Sequence, residues 1–130
     1  MKRFSLLFIM SFLPLISFST GINAIYSFST YNIPSQKPYV EINTSIQAKS
    51  LEYKNNEARI EFTLVLLKDS QIVYVEKREL KVVKSSNDAS VIDIQRVSLE
   101  NGKYSARFEL KDKNTPMEPM VIEDEFEINY

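Results

Sequence analysis

Val97 to Asp112 reads V-S-L-E-N-G-K-Y-S-A-R-F-E-L-K-D. Val97 and Leu99 alternate with polar residues before Asn101-Gly102, and Tyr104, Ala106, Phe108 and Leu110 alternate after it. Successive side chains on a strand point to opposite faces, so this period of two predicts two strands, each with one buried face. Asn-Gly between them predicts a sharp turn, because both residues tolerate positive φ. Gly102 is the one glycine outside the N-terminal leader, so the most permissive backbone of the domain is kept for this turn.

The spacing Leu99-x-x-Gly102-x-Tyr104 also resembles the corner of immunoglobulin-like sandwiches. There a Tyr near the start of a strand returns its hydroxyl to the preceding backbone. Leu99, Gly102 and Tyr104 are therefore expected to form a structural corner.

Upstream, Pro38 opens a strand in which Val40, Ile42, Thr44, Ile46 and Ala48 alternate with polar residues. Lys54 to Glu57 is a turn by composition. Ala58 to Lys68 starts half-apolar and ends with Val65 and Leu67 making both faces apolar, which predicts a central strand. Ile72 to Val83 is out of phase with itself. If Val73 and Val75 face inward with Leu80 and Val82, a bulge near Lys77 and Arg78 must reset the register. A strand from Val91 runs into the opening stretch, and Phe126, Ile128 and Tyr130 alternate on a last strand after Pro119. No 3.6-residue pattern appears outside the leader. The expectation is an all-β fold, an immunoglobulin-like antiparallel β-sandwich of about seven strands after an N-terminal signal peptide.

Residues 1–24 carry the signal-peptide pattern. Lys2 and Arg3 precede the apolar run Phe4 to Phe18, and small and polar residues lead to Ala24. Cleavage is expected after Ala24, with Gly21 as the second candidate. Residues 25–37 mix aromatics with Ser, Thr and Asn and are expected as an extended lead-in, partly ordered along an edge. Residues 38–130 are expected as the sandwich. The chain is then extracytoplasmic, periplasmic or secreted, and meets the membrane only through the signal peptide.

Composition narrows the chemistry. The chain of 130 residues has no Cys and no His, which removes thiol nucleophiles, disulfides, the usual general base and the commonest metal ligand. One domain glycine cannot build a phosphate-binding loop. No serine-hydrolase motif occurs. The formal net charge is −1, and counterion release offers such a domain little, so nucleic acid is not an expected partner. No cofactor is expected, and the chain is not expected to be an enzyme.

Four features invite function and have plainer explanations. Glu123, Asp124, Glu125 and Glu127, with Asp112 upstream, offer oxygen ligands for Ca²⁺ but lack the spacing of a cation loop, and acidic residues also guard a strand edge. Lys77, Arg78, Lys81 and Lys84 form a basic run that Glu76 and Glu79 interrupt, and it is expected to face solvent. Tyr39, Tyr53, Tyr74 and Tyr104 would make a binding face if exposed together, but core or corner packing is the expectation. Asn43-Thr44-Ser45 matches a glycosylation pattern inside a strand, where it is incidental.

Pro38-Tyr39-Val40-Glu41-Ile42, the apolar strand after the Asn-rich turn, Leu99 to Tyr104 and the closing strand together resemble the N-terminal region of secreted GWxTD-domain proteins of Bacteroidota. The chain has no Trp, so the naming motif itself is absent. The resemblance implies fold and compartment. The functional expectation is a non-catalytic module that binds protein or envelope polymer through a sheet face or edge. A second reading is a structural domain, or a truncated piece, of a longer secreted protein. A third is a carboxylate-based hydrolase, which needs two carboxylates facing each other across a cleft.

Overall fold

A computed structural model of the chain describes residues 21–86 and 89–130. Most of the expected signal peptide lies outside the described residues. The rest folds as seven strands: β1 (Ala24–Tyr31), β2 (Tyr39–Gln47), β3 (Glu57–Lys68), β4 (Gln71–Val83), β5 (Ser90–Ser98), β6 (Gly102–Asp112) and β7 (Met120–Ile128). They form two antiparallel sheets, sheet A in the order β1-β2-β5 and sheet B in the order β4-β3-β6-β7. The fold is an all-β sandwich with immunoglobulin-like strand order. Its fourth strand stays hairpinned to the third instead of joining the first sheet.

Alternation builds the core. β2 buries Val40, Ile42, Thr44 and Ile46, β3 buries Ala58, Ile60, Phe62, Leu64 and Leu66, and β6 buries Tyr104, Ala106, Phe108 and Leu110. Phe62 meets Phe108 edge-to-face at 4.4 Å between ring centroids, a favoured aromatic geometry. β3 sits between β4 and β6, the central place that its doubly apolar end predicts. Thr44 Oγ1 is buried with no hydrogen-bond partner, a desolvated hydroxyl in the middle of sheet A.

Several expectations are corrected. The lead-in is ordered along an edge, but over more of its length than a partial ordering: β1, the edge strand of sheet A, pairs with β2 over all eight of its residues, Ala24↔Ile46 to Tyr31↔Tyr39. The sandwich begins before Pro38 and before Ile25, because Ile22 and Ala24 are core residues. The Asn23 N–H donates to Ser50 Oγ at 2.9 Å, and the Asn23 carbonyl accepts from the Gln47 N–H at 2.8 Å. Cleavage after Ala24 would thus remove part of the core. β2 stops at Gln47, and Ala48–Ser50 forms a 3₁₀ turn instead of extending the strand.

In β4 Val73, Val75 and Val83 face outward, and Tyr74, Glu76, Arg78, Leu80 and Val82 face inward. No bulge lies at Lys77 and Arg78; the register shifts instead where Leu66 faces Tyr74 and Leu67 faces Ile72. On the last strand Ile128 is buried and Phe126 partly so, but Tyr130 lies beyond β7 and is exposed.

Asn101-Gly102 is not a hairpin turn. β5 pairs with β2 in sheet A, and β6 pairs with β3 and β7 in sheet B, so the chain crosses between sheets at this point. Gly102 has φ +152°, and a Cβ there would stand 2.7 Å from Lys68 Cε. The Tyr104 hydroxyl donates to the Glu100 carbonyl, and the buried Leu99 donates its N–H to the Pro38 carbonyl at 3.0 Å.

Candidate interaction surface

The two open sides of the sandwich are closed differently. Between β1 and β7 the closure is aromatic: Phe126 stacks on Phe28 at 5.3 Å and on Tyr104 at 5.4 Å. Tyr26 donates to Asp124 Oδ2 at 3.2 Å beside them, and burial with this carboxylate raises the Tyr26 phenol pKa.

Between β4 and β5 the closure is polar. β5 turns Asp93 and Gln95 inward, where they are buried. Arg78 reaches across from β4 and donates to Asp93 Oδ2. With its amide oxygen turned to the guanidinium, Gln95 accepts from Arg78 Nη2 and Nε at 2.7 Å each. The guanidinium carbon lies 5.0 Å from the centroid of the Phe62 ring. Glu76 lies 3.9 Å from Arg78 Nε and accepts from the Tyr74 hydroxyl at 2.8 Å. Burial raises the Asp93 pKa, and Arg78 opposes that rise without cancelling it. Arg78 therefore faces inward and braces the two edge strands, which corrects the solvent-facing expectation for it. Lys77 and Lys81 do face outward, and Lys84 Nζ lies 5.8 Å from the Tyr53 ring centroid.

The braced β5 presents Ile92 and Ile94 on the outer face of sheet A. Pairing sets Ile25, Ser45 and Ile92 in one row, and Ser27, Asn43 and Ile94 in the next. Ile25 is 72% exposed and Ile92 is 71% exposed. They flank a shallow hollow of about 160 Å³ with Ser27, Asn43 and Ser45 in its lining. One row further, Arg96 Nε donates to Glu41 Oε2 at 2.8 Å. This bond and one from Asn43 hold the Glu41 carboxyl below its ordinary pKa. At the far end Tyr31 and Tyr39 stack at 5.1 Å. The face thus carries an apolar end, an ion-paired middle and an aromatic end on one rigid three-stranded support.

The residues singled out in the sequence do not converge on this face, apart from Tyr39 and Asn43. Leu99, Gly102 and Tyr104 lie at the inter-sheet corner. Tyr53 donates to the Ala48 carbonyl at 3.0 Å, and Tyr74 faces inward. Alternation splits the acidic run: Asp124 turns toward Tyr26, while Glu123, Glu125 and Glu127 face outward and Glu123 pairs with Arg107. Asp112 is remote from them in role. Its Oδ2 accepts from the Glu52 N–H and its Oδ1 from the Asn114 N–H, tying two loops together. Asn43 lies on the outer face, but Thr44 of the glycosylation pattern is buried. Ile25 fell within the expected lead-in. Ile92 and Ile94 carried a readable signal, since Val91-Ile92 is apolar in both phases of a strand.

No protein-family model matches the chain, and no curated protein matches it.

Proposed function

We propose that the chain is a non-catalytic, extracytoplasmic β-sandwich module that binds a protein or an envelope polymer through the outer face of sheet A. The observation carrying this reading is the exposed cluster of Ile25, Ile92 and Ile94 at one end of that face, with the polar Ser27, Asn43 and Ser45 among them. Exposed apolar side chains that are contiguous and rimmed by polar ones mark contact surfaces. The leader pattern and the resemblance to the N-terminal region of secreted GWxTD-domain proteins belong to the same proposal, and they supply its compartment. The engagement of both Glu76 and Asp93 by Arg78 supports the non-catalytic part, since a carboxylate hydrolase keeps its pair facing a substrate cleft.

The test is capture from envelope extract by wild type and by the Ile92→Lys/Ile94→Lys variant, with melting curves for both. The reading expects a retained component that the variant loses while its melting point is kept. Equal retention by the two proteins would remove sheet A from the function.

A further inference from the structure

We propose that the free edge of β1 is a docking site for β1 of a second copy, the two strands pairing antiparallel about a two-fold axis at Phe28. This goes beyond the proposed function, which uses the face of sheet A and not its edge.

β1 is paired only with β2, and all eight of its residues have direct partners with no bulge. Natural edges are guarded by charges, proline or bulges. The other edges of the sandwich carry such guards. β4 has Glu76 and Arg78 inward and Lys77 and Lys81 outward, β5 has Asp93 inward, and β7 has Glu123, Glu125 and Glu127 outward. β1 reads Ala-Ile-Tyr-Ser-Phe-Ser-Thr-Tyr and holds no charge, proline or glycine. An unguarded edge, with its row of free N–H and C=O groups, is a template for a further strand.

The hydrogen-bond phase of the edge says how that strand joins. The Gln47 N–H bonds to the Asn23 carbonyl opposite it, and bonded pairs alternate with unbonded ones along an antiparallel ladder. Ile25, Ser27, Ser29 and Tyr31 therefore bond to β2, while Tyr26, Phe28 and Thr30 turn their N–H and C=O groups to the free edge. A second β1 centred on Phe28 offers the same phase. Phe28 bonds the second copy's Phe28 at the axis, and Tyr26 exchanges bonds with the second copy's Thr30 on either side. The side chains match as well. On the outer face Ile25 stands against the second copy's Tyr31, and Ser27 against its Ser29, so pairing covers both exposed apolar side chains of the strand. Moving the axis by one residue leaves Tyr31 or Ile25 opposite residues outside the strand. Because β1 is neutral, no like charges meet in the ladder. Ile25 shares a row with Ile92, and Tyr31 stacks on Tyr39. The contact thus joins the isoleucine end of each copy's sheet A to the tyrosine end of the other, and this continuity selects a second copy as the occupant. On the inner face the partly buried Phe28 and Phe126 gain cover. The outward acids of β7 point away from sheet A, hold the two β7 strands apart, and confine the contact to β1. A two-fold contact is closed, so the assembly stops at two copies.

The test uses protein purified from cells expressing the full chain. Sedimentation velocity should show a concentration-dependent monomer–dimer equilibrium with no larger species. Added salt should tighten the dimer, because it screens the acids of the two β7 strands from each other. Thr30→Pro removes an N–H that faces the free edge and none that bonds to β2, so it should weaken the dimer at least about tenfold while the monomer stays folded. Because the chain has no Cys, register is read directly. Ser27→Cys and Ser29→Cys proteins mixed under mild oxidation should give mainly the 27–29 cross-link, as Cα atoms of an unbonded antiparallel pair lie about 4.5 Å apart, within disulfide range. A wild type that sediments as a monomer at all concentrations overturns the proposal, as does an open-ended series of oligomers or a folded Thr30→Pro protein that dimerises as the wild type does. Cross-linking that favours 27–27 or 29–29 overturns the register and with it the dimer described.

Discussion

The Tyr104 hydroxyl donates to the Glu100 carbonyl oxygen at 2.7 Å, four residues back along the chain. The bond spans the point where the chain leaves sheet A for sheet B. Tyr104→Phe keeps the ring packed on Phe126 but leaves that carbonyl without its partner, at a cost of about 1–3 kcal/mol. Gly102→Val is expected to cost more, because it imposes a branched side chain at φ +152° and pushes Lys68 from its bond to the Asn101 carbonyl. Urea melts of the two variants check both costs. A midpoint unchanged in either would mean that the corner does not need that residue.

The β3–β4 hairpin turns on Asp69 and Ser70, with φ of 51° and 62°. Positive φ at both central positions is the geometry that favours Asn-Gly, yet this turn has no glycine. Ser70→Gly should therefore stabilise the protein by about 0.5–1 kcal/mol, the strain relieved less the entropy that glycine adds to the unfolded chain. Thermal melts would show it, and a lower melting point would contradict the assignment.

Arg78 and Asp93 form the brace between the sheets. Arg78→Leu leaves Asp93 buried without its cation and should cost about 3 kcal/mol, the low end for a broken buried pair because Arg78 is partly in water. Arg78→Leu/Asp93→Leu should recover part of that loss. Chemical denaturation of the three proteins gives the comparison, and a double variant no better than Arg78→Leu would refute it.

The same brace has a pH signature. The folded pKa of Asp93 is raised above 3.8, so its contribution is fully present below 3.8 and is lost as pH rises through the folded value. Glu41 and Glu79 are lowered, chiefly by hydrogen bonds from Arg96 and Lys113, so their contributions hold above 4.5 and are lost as pH falls through their folded values. With no His, stability should be flat from about pH 6 to 8 and should fall in acid. Wild type should gain on Asp93→Asn as pH drops toward 3.8. Melting curves across pH decide the matter, and a difference between the two proteins that does not vary with pH would remove Asp93 from the account.

Ile22 and Ala24 are core residues. A chain starting at Gly21 should be more stable than one starting at Ile25 by about 1.5–3 kcal/mol, the burial of one large aliphatic side chain. Equal denaturation midpoints for the two chains would show that β1 holds without them.

Strands with polar residues outward were legible in the sequence. β2, β3 and β6 alternate cleanly because each buries one face against the other sheet. In β4 the inward Leu80 and Val82 were legible, but the first half was not, because its inward side faces Asp93 and Gln95, so its inward positions are Tyr74, Glu76 and Arg78 while Val73 and Val75 stand outside. β1 was read only as an extended lead-in partly ordered along an edge, because its inward Tyr26, Phe28 and Thr30 interleave with Ser and give no aliphatic alternation to mark a full strand. The Asn-Gly turn was placed correctly but given the wrong topology. Local sequence sets where a chain bends, and long-range pairing sets which sheet it enters. The Ile25, Ile92 and Ile94 face joins residues far apart in sequence, and only the pairing of β1, β2 and β5 brings them together.

The strand order also sets a timetable for folding. β3 and β4 meet across a two-residue turn, but β2 finds β5 only after that whole hairpin has been made, with Val40 opposite Val97. Contacts this distant in sequence carry loop-closure entropy before they return any stability, and sandwiches of this kind fold in roughly milliseconds to seconds. Sheet A should therefore close last. In stopped-flow refolding, destabilising changes at Ile42 or Val97 should mainly speed unfolding, while changes at Ile60 or Leu64 should also slow folding. The reverse pattern would make sheet A the nucleus. If sheet A closes last, its outer face exists only in the completed molecule, and a partially folded chain has nothing to offer a partner there.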